Sequence, residues 1–470
     1  MSISKRIVKH TVNFGLGNAL PRAINLLLIP IYTIFLTPED FGIVELTTSL
    51  GGFLVILMRF GVPGSVSRYY FEYRDNEQDV RDYATTVYYF LMASSVVVAL
   101  IAGILLYYFR ANITPGLPFY PFIVLAIINS GLSSNSDLQK RLLQAREQSR
   151  YMALLNIGFS LFTILLTVTF VVFLRMAALG IVLAQVVTSF AFFFQAQYYL
   201  RSDLRGRFRL GLLYSSLKYG VGILPHHLFA ALTPLIAKAL LVSSSSLVAL
   251  GLYSVALKLT LPLEVLYRSF SQGFQPVYFD VRKQLEKGTA KENELPKLFQ
   301  RIWLLAVACF SGVVLLGPLV MVKFIPSAYH DAVPLVPIIA IGFLGEVLYL
   351  LHVSDLYYTK RTGSVPIITA LGLMVNLGFT YAVVDEWGAK GVALGAALGY
   401  VTWAAISFVL SRNVIEIYGL SFFVSLLIGG VVYFLNSVVP FEHLAYRLLS
   451  LIGVCLLLAF LNFAKSRSSG

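Results

Sequence analysis

Apolar residues run along this chain in long, nearly unbroken blocks, separated by short polar stretches. A helix that is apolar all round is a buried or membrane-spanning helix, and about 20 such residues are needed to cross a bilayer. On that measure the pattern predicts fourteen spans, at about 10–36, 40–62, 83–109, 119–138, 151–174, 177–200, 218–242, 247–279, 300–325, 333–358, 364–384, 389–411, 415–436 and 443–463. The stretch 247–279 is too long for one straight crossing and predicts a tilt, or a kink at Pro262. A membrane barrel would show short alternating segments instead. Continuous runs indicate helices, which satisfy their own backbone groups in lipid. The predicted fold class is an all-α polytopic membrane protein.

Composition sharpens this picture. At about 150 residues per domain, 470 residues would suggest two or three soluble domains. Yet 58% of them are hydrophobic, only 13% are charged, and mean hydropathy is +0.78. Soluble domains are about 25% charged, so this chain cannot clothe a water-facing surface. Disordered, collagenous and disulfide-rich classes are excluded by the same figures. Cys309 and Cys455 both fall in apolar runs and are expected to be packed thiols. Lys5, Arg6 and Lys9 ahead of an apolar stretch resemble a signal peptide, but the stretch runs on to Leu36 without a small-residue cleavage site, so a retained first span is expected.

The net charge of +13 changes meaning once the charges are placed. With both termini cytoplasmic, 26 of the 36 Lys and Arg residues lie on inward segments and only four, Arg110, Arg175, Lys323 and Lys390, face outward. This is the positive-inside asymmetry of a protein of the cell inner (cytoplasmic) membrane. Orientation and attraction to anionic membrane lipids account for the basic balance, and no nucleic acid is called for.

The chain also repeats itself. Gly15-Leu16-Gly17 precedes Leu20-Pro21, and Gly220-Val221-Gly222 precedes Leu224-Pro225; a second proline follows nine residues on, at Pro30 and Pro234. Phe41-Gly42 and Leu250-Gly251 then open the next helix of each half. The reading is two pseudo-symmetric six-helix lobes, 1–205 and 206–412, with two further helices in 413–470. Six is even, so both lobes start on the same side. Such a parallel repeat is typical of alternating-access transporters, whose sites lie near irregular helices at matched positions. Gly391, Gly395 and Gly399 make two overlapping GxxxG patterns, expected to let helices pack closely.

Six cations remain inside the spans: Arg22, Arg59, Lys238, Lys258, Arg268 and Arg447. Each costs about 2.5–3.5 kcal/mol at the bilayer centre on an insertion scale. Arg59, Lys238 and Arg447 stand near enough to span ends for snorkelling to be the bland alternative. Arg22 does not, and it shares a helix face with Asn18 and Asn25. On the eighth span Glu264, Arg268, Ser271 and Gln275 align likewise, and Lys258 lies one to two turns earlier. The simplest site is a hydrated central cavity lined with cations from both spans; the alternative is an Arg268–Glu264 pair that only packs a bundle. His226 stands beside Pro225 as Arg22 stands beside Pro21, which makes it a candidate lining residue. Adjacent His226 and His227 point about 100° apart on a helix and do not make a metal site together. Glu45, Glu264, Glu346 and Asp355 are the acids that could carry a coupling H+ or Na+, although Asp355 has Lys360 and Arg361 nearby as pairing partners.

Among familiar catalytic patterns, no H-E-x-x-H, P-loop or dinucleotide fingerprint stands in a credible context. Outward loops are short, and the Lys- and Glu-rich stretch at about 280–299 reads as a solvated linker. An enzyme is therefore not expected, nor a cofactor beyond a coupling gradient.

The stretch LPRAINLLLIPIYTIFLTPEDFG (20–42), followed by Arg59-Phe60-Gly61 and Ser67-Arg68-Tyr69-Tyr70, resembles the polysaccharide flippase branch of the multidrug, oligosaccharidyl-lipid and polysaccharide exporter superfamily. The likeness extends along the chain through its six-plus-six layout. It implies two lobes in a V shape, alternating access to a cationic cavity, and a polyprenyl-pyrophosphate-linked oligosaccharide as cargo. Polysaccharide polymerase and glycosyltransferases of the same pathway would be partners. In related lipid II flippases arginines on the first, second and eighth helices matter, and Arg22, Arg59 and Arg268 match those locations; fourteen helices are also similar to that branch. Arginine suits the cargo, since it grips phosphate oxygens bidentately and stays charged when buried. Competing readings are a cation-coupled multidrug exporter, whose cavity should be acidic and aromatic, a membrane glycan-assembly enzyme, and a scaffold.

Overall fold

The computed structural model describes residues 24, 26, 28–288, 294–359, 361, 363–411, 420–438 and 444–467. Among the described residues there are helices and no strands. In chain order they are α1 (Ile29–Phe35), α2 (Pro38–Arg59), α3 (Val62–Tyr73), α4 (Glu77–Ile113), α5 (Val124–Ala145), α6 (Ser149–Val168), α7 (Ala177–Leu200) and α8 (Leu210–Ser244). Then follow α9 (Leu247–Leu259), α10 (Leu261–Glu286), α11 (Glu294–Phe324), α12 (Leu335–Tyr358), α13 (Ser364–Leu410), α14 (Leu420–Val438) and α15 (Leu444–Arg467).

Every predicted span from the second to the fourteenth has a helix on it, and among the described residues eight helices are long and apolar enough to cross a membrane by length and composition. α5 is not among them: Ser130, Ser134, Asn135, Asp137 and Gln139 make it polar, and all five are buried. The predicted kink near Pro262 is a 50° bend between α9 and α10, with Pro262 in the first turn of the restarted helix. There its missing N–H costs nothing. The eleventh and twelfth spans form one helical run, α13, broken only at Gly388, whose φ of 50° few other residues would adopt. α10 continues to Glu286, well into the stretch read as a linker. Pro225 and Pro234 lie inside α8, which runs through both as one helix.

Local chemistry sets these boundaries. Thr37 accepts a hydrogen bond from the Asp40 N–H at 3.2 Å, and the Asp40 carboxylate accepts one from the Thr37 N–H at 2.9 Å. That reciprocal cap, with Pro38 in the first turn, fixes the start of α2. α2 ends where Phe60 and Gly61 turn left-handed, at φ 46° and 71°. The GxxxG glycines behave as expected: a Cβ on Gly395 would meet Thr380 and Asn376, and one on Gly399 the backbone of Gly372. The two arms of α13 thus touch through small residues.

The chain divides into two compact units, Met1–Gly251 and Leu252–Gly470. α8, which opens the second half of the sequence repeat, packs in the first unit along α2 and α3. The core of the first unit gathers Val62, Val66, Tyr83, Val87, Leu91, Leu138 and Leu142. In the second, Phe274 and Tyr278 of α10 meet Phe299, Trp303 and Phe310 of α11 and Phe343 and Val347 of α12. Ile428, Val432 and Leu458 bring α14 and α15 onto the same core, and the Trp303 Nε1–H donates to Ser425 Oγ at 2.9 Å.

Two expectations fail here. Cys455 is exposed on the protein surface, whereas Cys309 is half-buried. Arg447 does not snorkel: it is 1% exposed, and its Nη1 donates to the Leu315 carbonyl at 2.7 Å. A neighbouring helix supplies the acceptor that water would otherwise provide.

Candidate functional site

Arg22, Asn18 and Asn25 lie outside the described residues, as does the side chain of His226. The other candidates fall into two groups, one in each unit.

In the first unit, Lys238 of α8 and Glu45 of α2 form an ion pair with Nζ to Oε1 at 2.6 Å. Lys238 Nζ also donates to Ser49 Oγ at 2.8 Å, one turn further along α2. Their side chains are 10% and 19% exposed, so Lys238 is a buried partner of Glu45 rather than a snorkelling lysine. Burial there costs several kcal/mol per ion unless the partners are well placed; two short contacts meet that condition. Arg59 is also partnered. Its Nη2 donates to the Ser133 carbonyl at 3.2 Å and lies 3.7 Å from Asp137 Oδ1, while Arg141 reaches the other Asp137 oxygen at 3.4 Å. Beyond the spans, Arg146 grips Asp203 bidentately, at 2.5 and 3.0 Å. Burial alone would pull the Arg146 guanidinium down, but Asp203 outweighs it and holds it above the ordinary arginine value.

The second unit carries Glu264 and Arg268 on α10. Arg268 Nε donates to Glu264 Oε1 at 2.8 Å, as the spacing of one turn allows. Here, however, the side chains are 56% and 42% exposed for Arg268 and Glu264. Ser271 and Gln275 continue the same face and are half-buried, while the opposite face of α10, with Leu263, Phe274 and Tyr278, is sunk in the core. Glu264 and Arg268 are also the charged groups whose fields reach the half-buried Glu346 of α12. Lys258 is half-buried in the last turn of α9.

Asp355 departs from expectation. Its partners are Tyr278, whose hydroxyl donates to Oδ1 at 2.7 Å, and Arg282, whose Nη2 lies 3.4 Å from the same oxygen. Lys360 lies outside the described residues. The nearby basic residues follow the helix end, whereas α10 and α12 pack side by side and bring Tyr278 and Arg282 to the carboxylate. Tyr278, Arg282, Asp137 and Ser49 were not singled out from the sequence. Only Asp137 left a signal there, as an acid in a polar run with Arg141 four residues on. No group of three His, Cys, Asp or Glu side chains able to hold a metal occurs among the described residues.

What this arrangement can do is distinguish charges already spoken for from charges still open. Glu45, Lys238, Arg59, Asp137 and Asp355 are met by protein partners. The Glu264–Arg268 pair is more exposed, at 42% and 56% of its side chains.

The family model described as polysaccharide biosynthesis protein matches residues 7–280. No curated protein sequence matches the chain. Among solved structures, a lipid II flippase, MurJ, in an inward closed conformation, is similar in fold, with a TM-score of 0.70 at 13% identity; the match covers 97% of this chain and 99% of that one. An inward-facing multidrug resistance MATE family transporter of the MOP superfamily gives a TM-score of 0.62 at 14% identity, over 85% of this chain and 98% of that one. A MOP superfamily transporter from Pyrococcus furiosus, described by the reversed polarity of its binding pocket, gives 0.55 at 15% identity, over 88% and 95%. The fold is that of this superfamily: a multi-pass, all-helical membrane protein.

Proposed function

We infer from one premise, that this chain belongs to the polysaccharide biosynthesis protein family, that it is a transporter that flips a polyprenyl-pyrophosphate-linked oligosaccharide across the cytoplasmic membrane. It works by alternating access, without covalent chemistry, and supplies surface or exopolysaccharide synthesis alongside the glycosyltransferases and polymerase of the pathway. The observation that carries the reading is Arg268, a cation on an apolar span whose side chain remains 56% exposed beside its own carboxylate partner.

A pyrophosphate diester bears about two negative charges at neutral pH, and hydrocarbon alone rejects it. Guanidinium groups can neutralise it bidentately while the prenyl tail stays in lipid. Arg268 and Arg22 take that role, with Arg59 near the cytoplasmic entrance and Lys258, Asn18, Asn25, His226 and Gln275 as supporting polar contacts. Coupling to H+ or Na+ falls most naturally to Glu264 and Glu346, which share a charged neighbourhood with Arg268. Glu45 and Asp355 could join only by breaking the pairs they already make.

A lipid II-type cargo is the second reading, favoured by the 97% coverage of this chain in the match to the lipid II flippase; it shares the pyrophosphate and differs in the glycan. A cationic drug as cargo is disfavoured by the arginine. The test is complementation. Arg22→Ala and Arg268→Ala proteins made at normal levels should abolish surface-polysaccharide export, and full export by both would contradict the proposal.

A further inference from the structure

Three features of the first unit meet at one end of α2. Gly42 stands four residues after the start of α2 at Pro38, and Gly251 stands four residues after the start of α9 at Leu247. Each packs against the start of the other's helix: a Cβ on Gly42 would collide with the Leu247 carbonyl, and a Cβ on Gly251 with the Pro38 carbonyl. The crossing is therefore reciprocal, made by residues at matched places in the sequence repeat. The Leu247 side chain also lies against Gly116. On this same half of α2, Glu45 and Ser49 hold Lys238 of α8 at 2.6 and 2.8 Å. α2 is itself fixed at this end, since Asp40 both caps it and accepts from the Ala178 N–H at 3.4 Å.

We propose that the Gly42–Gly251 crossing and the Lys238–Glu45–Ser49 cluster form one clasp, with Lys238 and Glu45 as positioning residues that hold the starts of α2 and α9 together on the outward side and must separate in each transport cycle. The chemistry suits a reversible contact. Backbone packed on backbone through glycines leaves no side chains to disentangle, and a single ion pair in low dielectric is strong while closed yet concentrated at one point. Part of the argument rests on the transporter reading above, because only an alternating-access protein needs this end to open.

The closing test is cargo-independent. With Cys309 and Cys455 replaced by serine, spin labels go on the exposed positions Thr48→Cys and Val248→Cys, and pulsed electron-spin distances are measured in lipid nanodiscs without substrate. The otherwise native clasp should give one dominant short distance. Neutralising the pair without emptying its volume, as E45Q/K238M, should add a longer population of at least about one molecule in ten, a shift of roughly 1–2 kcal/mol for a state otherwise rare. G251L should move most molecules to the longer distance. The charge-swapped E45K/K238E protein should regain the short distance and export, which a purely space-filling role would not require. A distance distribution identical in native, E45Q/K238M and G251L proteins would overturn the clasp. If the clasp responds as described while R268A still exports polysaccharide, the cargo assignment fails and the clasp stands.

Discussion

Lys238 and Arg59 in the first unit and Arg268 in the second are paired in opposite ways. In the first, Lys238 meets Glu45 across two helices with side chains 10% and 19% exposed, and Arg59 meets Asp137 with 26% and 12%. In the second, Arg268 meets Glu264 within one helix, with both side chains roughly half exposed. Pairs between helices hold helices together. A pair along one turn holds no second helix, which is why the proposed ligand role falls on Arg268. The sign of a residue and its depth in a span do not separate these cases; its partner and exposure do.

This contrast can be broken at several points. The largest effect is expected at Lys238: K238Q leaves Glu45 charged and buried, and should destabilise the purified protein by about 3–5 kcal/mol. Thermal unfolding in detergent would show it, with E45Q/K238M recovering most of the loss. An intermediate effect is expected at the Tyr278–Asp355 contact, where Y278F removes the hydroxyl that donates to the buried carboxylate and should cost about 1–3 kcal/mol in the same assay. The smallest is expected for E264Q, where a half-exposed pair along one helix turn should change stability by less than about 1 kcal/mol. Its effect should fall on transport instead, read as altered dependence on the H+ or Na+ gradient. A destabilisation by E264Q as large as that of K238Q would erase the distinction between the units.

Much of this fold was legible from the chain. The apolar blocks placed the helices because lipid demands length and self-satisfied backbones, and the GxxxG spacing foretold the close arms of α13. Pairing was less legible, because a partner on another helix leaves no local spacing to read. Lys238 and Glu45 are separated by 193 residues, and Asp355 meets Arg282 from 73 residues away. The Glu264–Arg268 pair was visible beforehand, being local to one turn; its openness was not, since exposure depends on what packs against the other helix faces. Arg447 shows the same limit, its acceptor being a carbonyl of α11.

The central claim is that an open arginine on α10 receives a pyrophosphate headgroup. Its most direct test is binding of a fluorescent polyprenyl-pyrophosphate disaccharide to purified protein in nanodiscs, compared between native and R268A forms, with the monophosphate lipid as control. The account predicts that R268A weakens binding of the pyrophosphate lipid by about tenfold or more, the loss of one charge-assisted contact, while folding and the weaker binding of the monophosphate change little. Equal affinity of native and R268A proteins for the pyrophosphate lipid would contradict it.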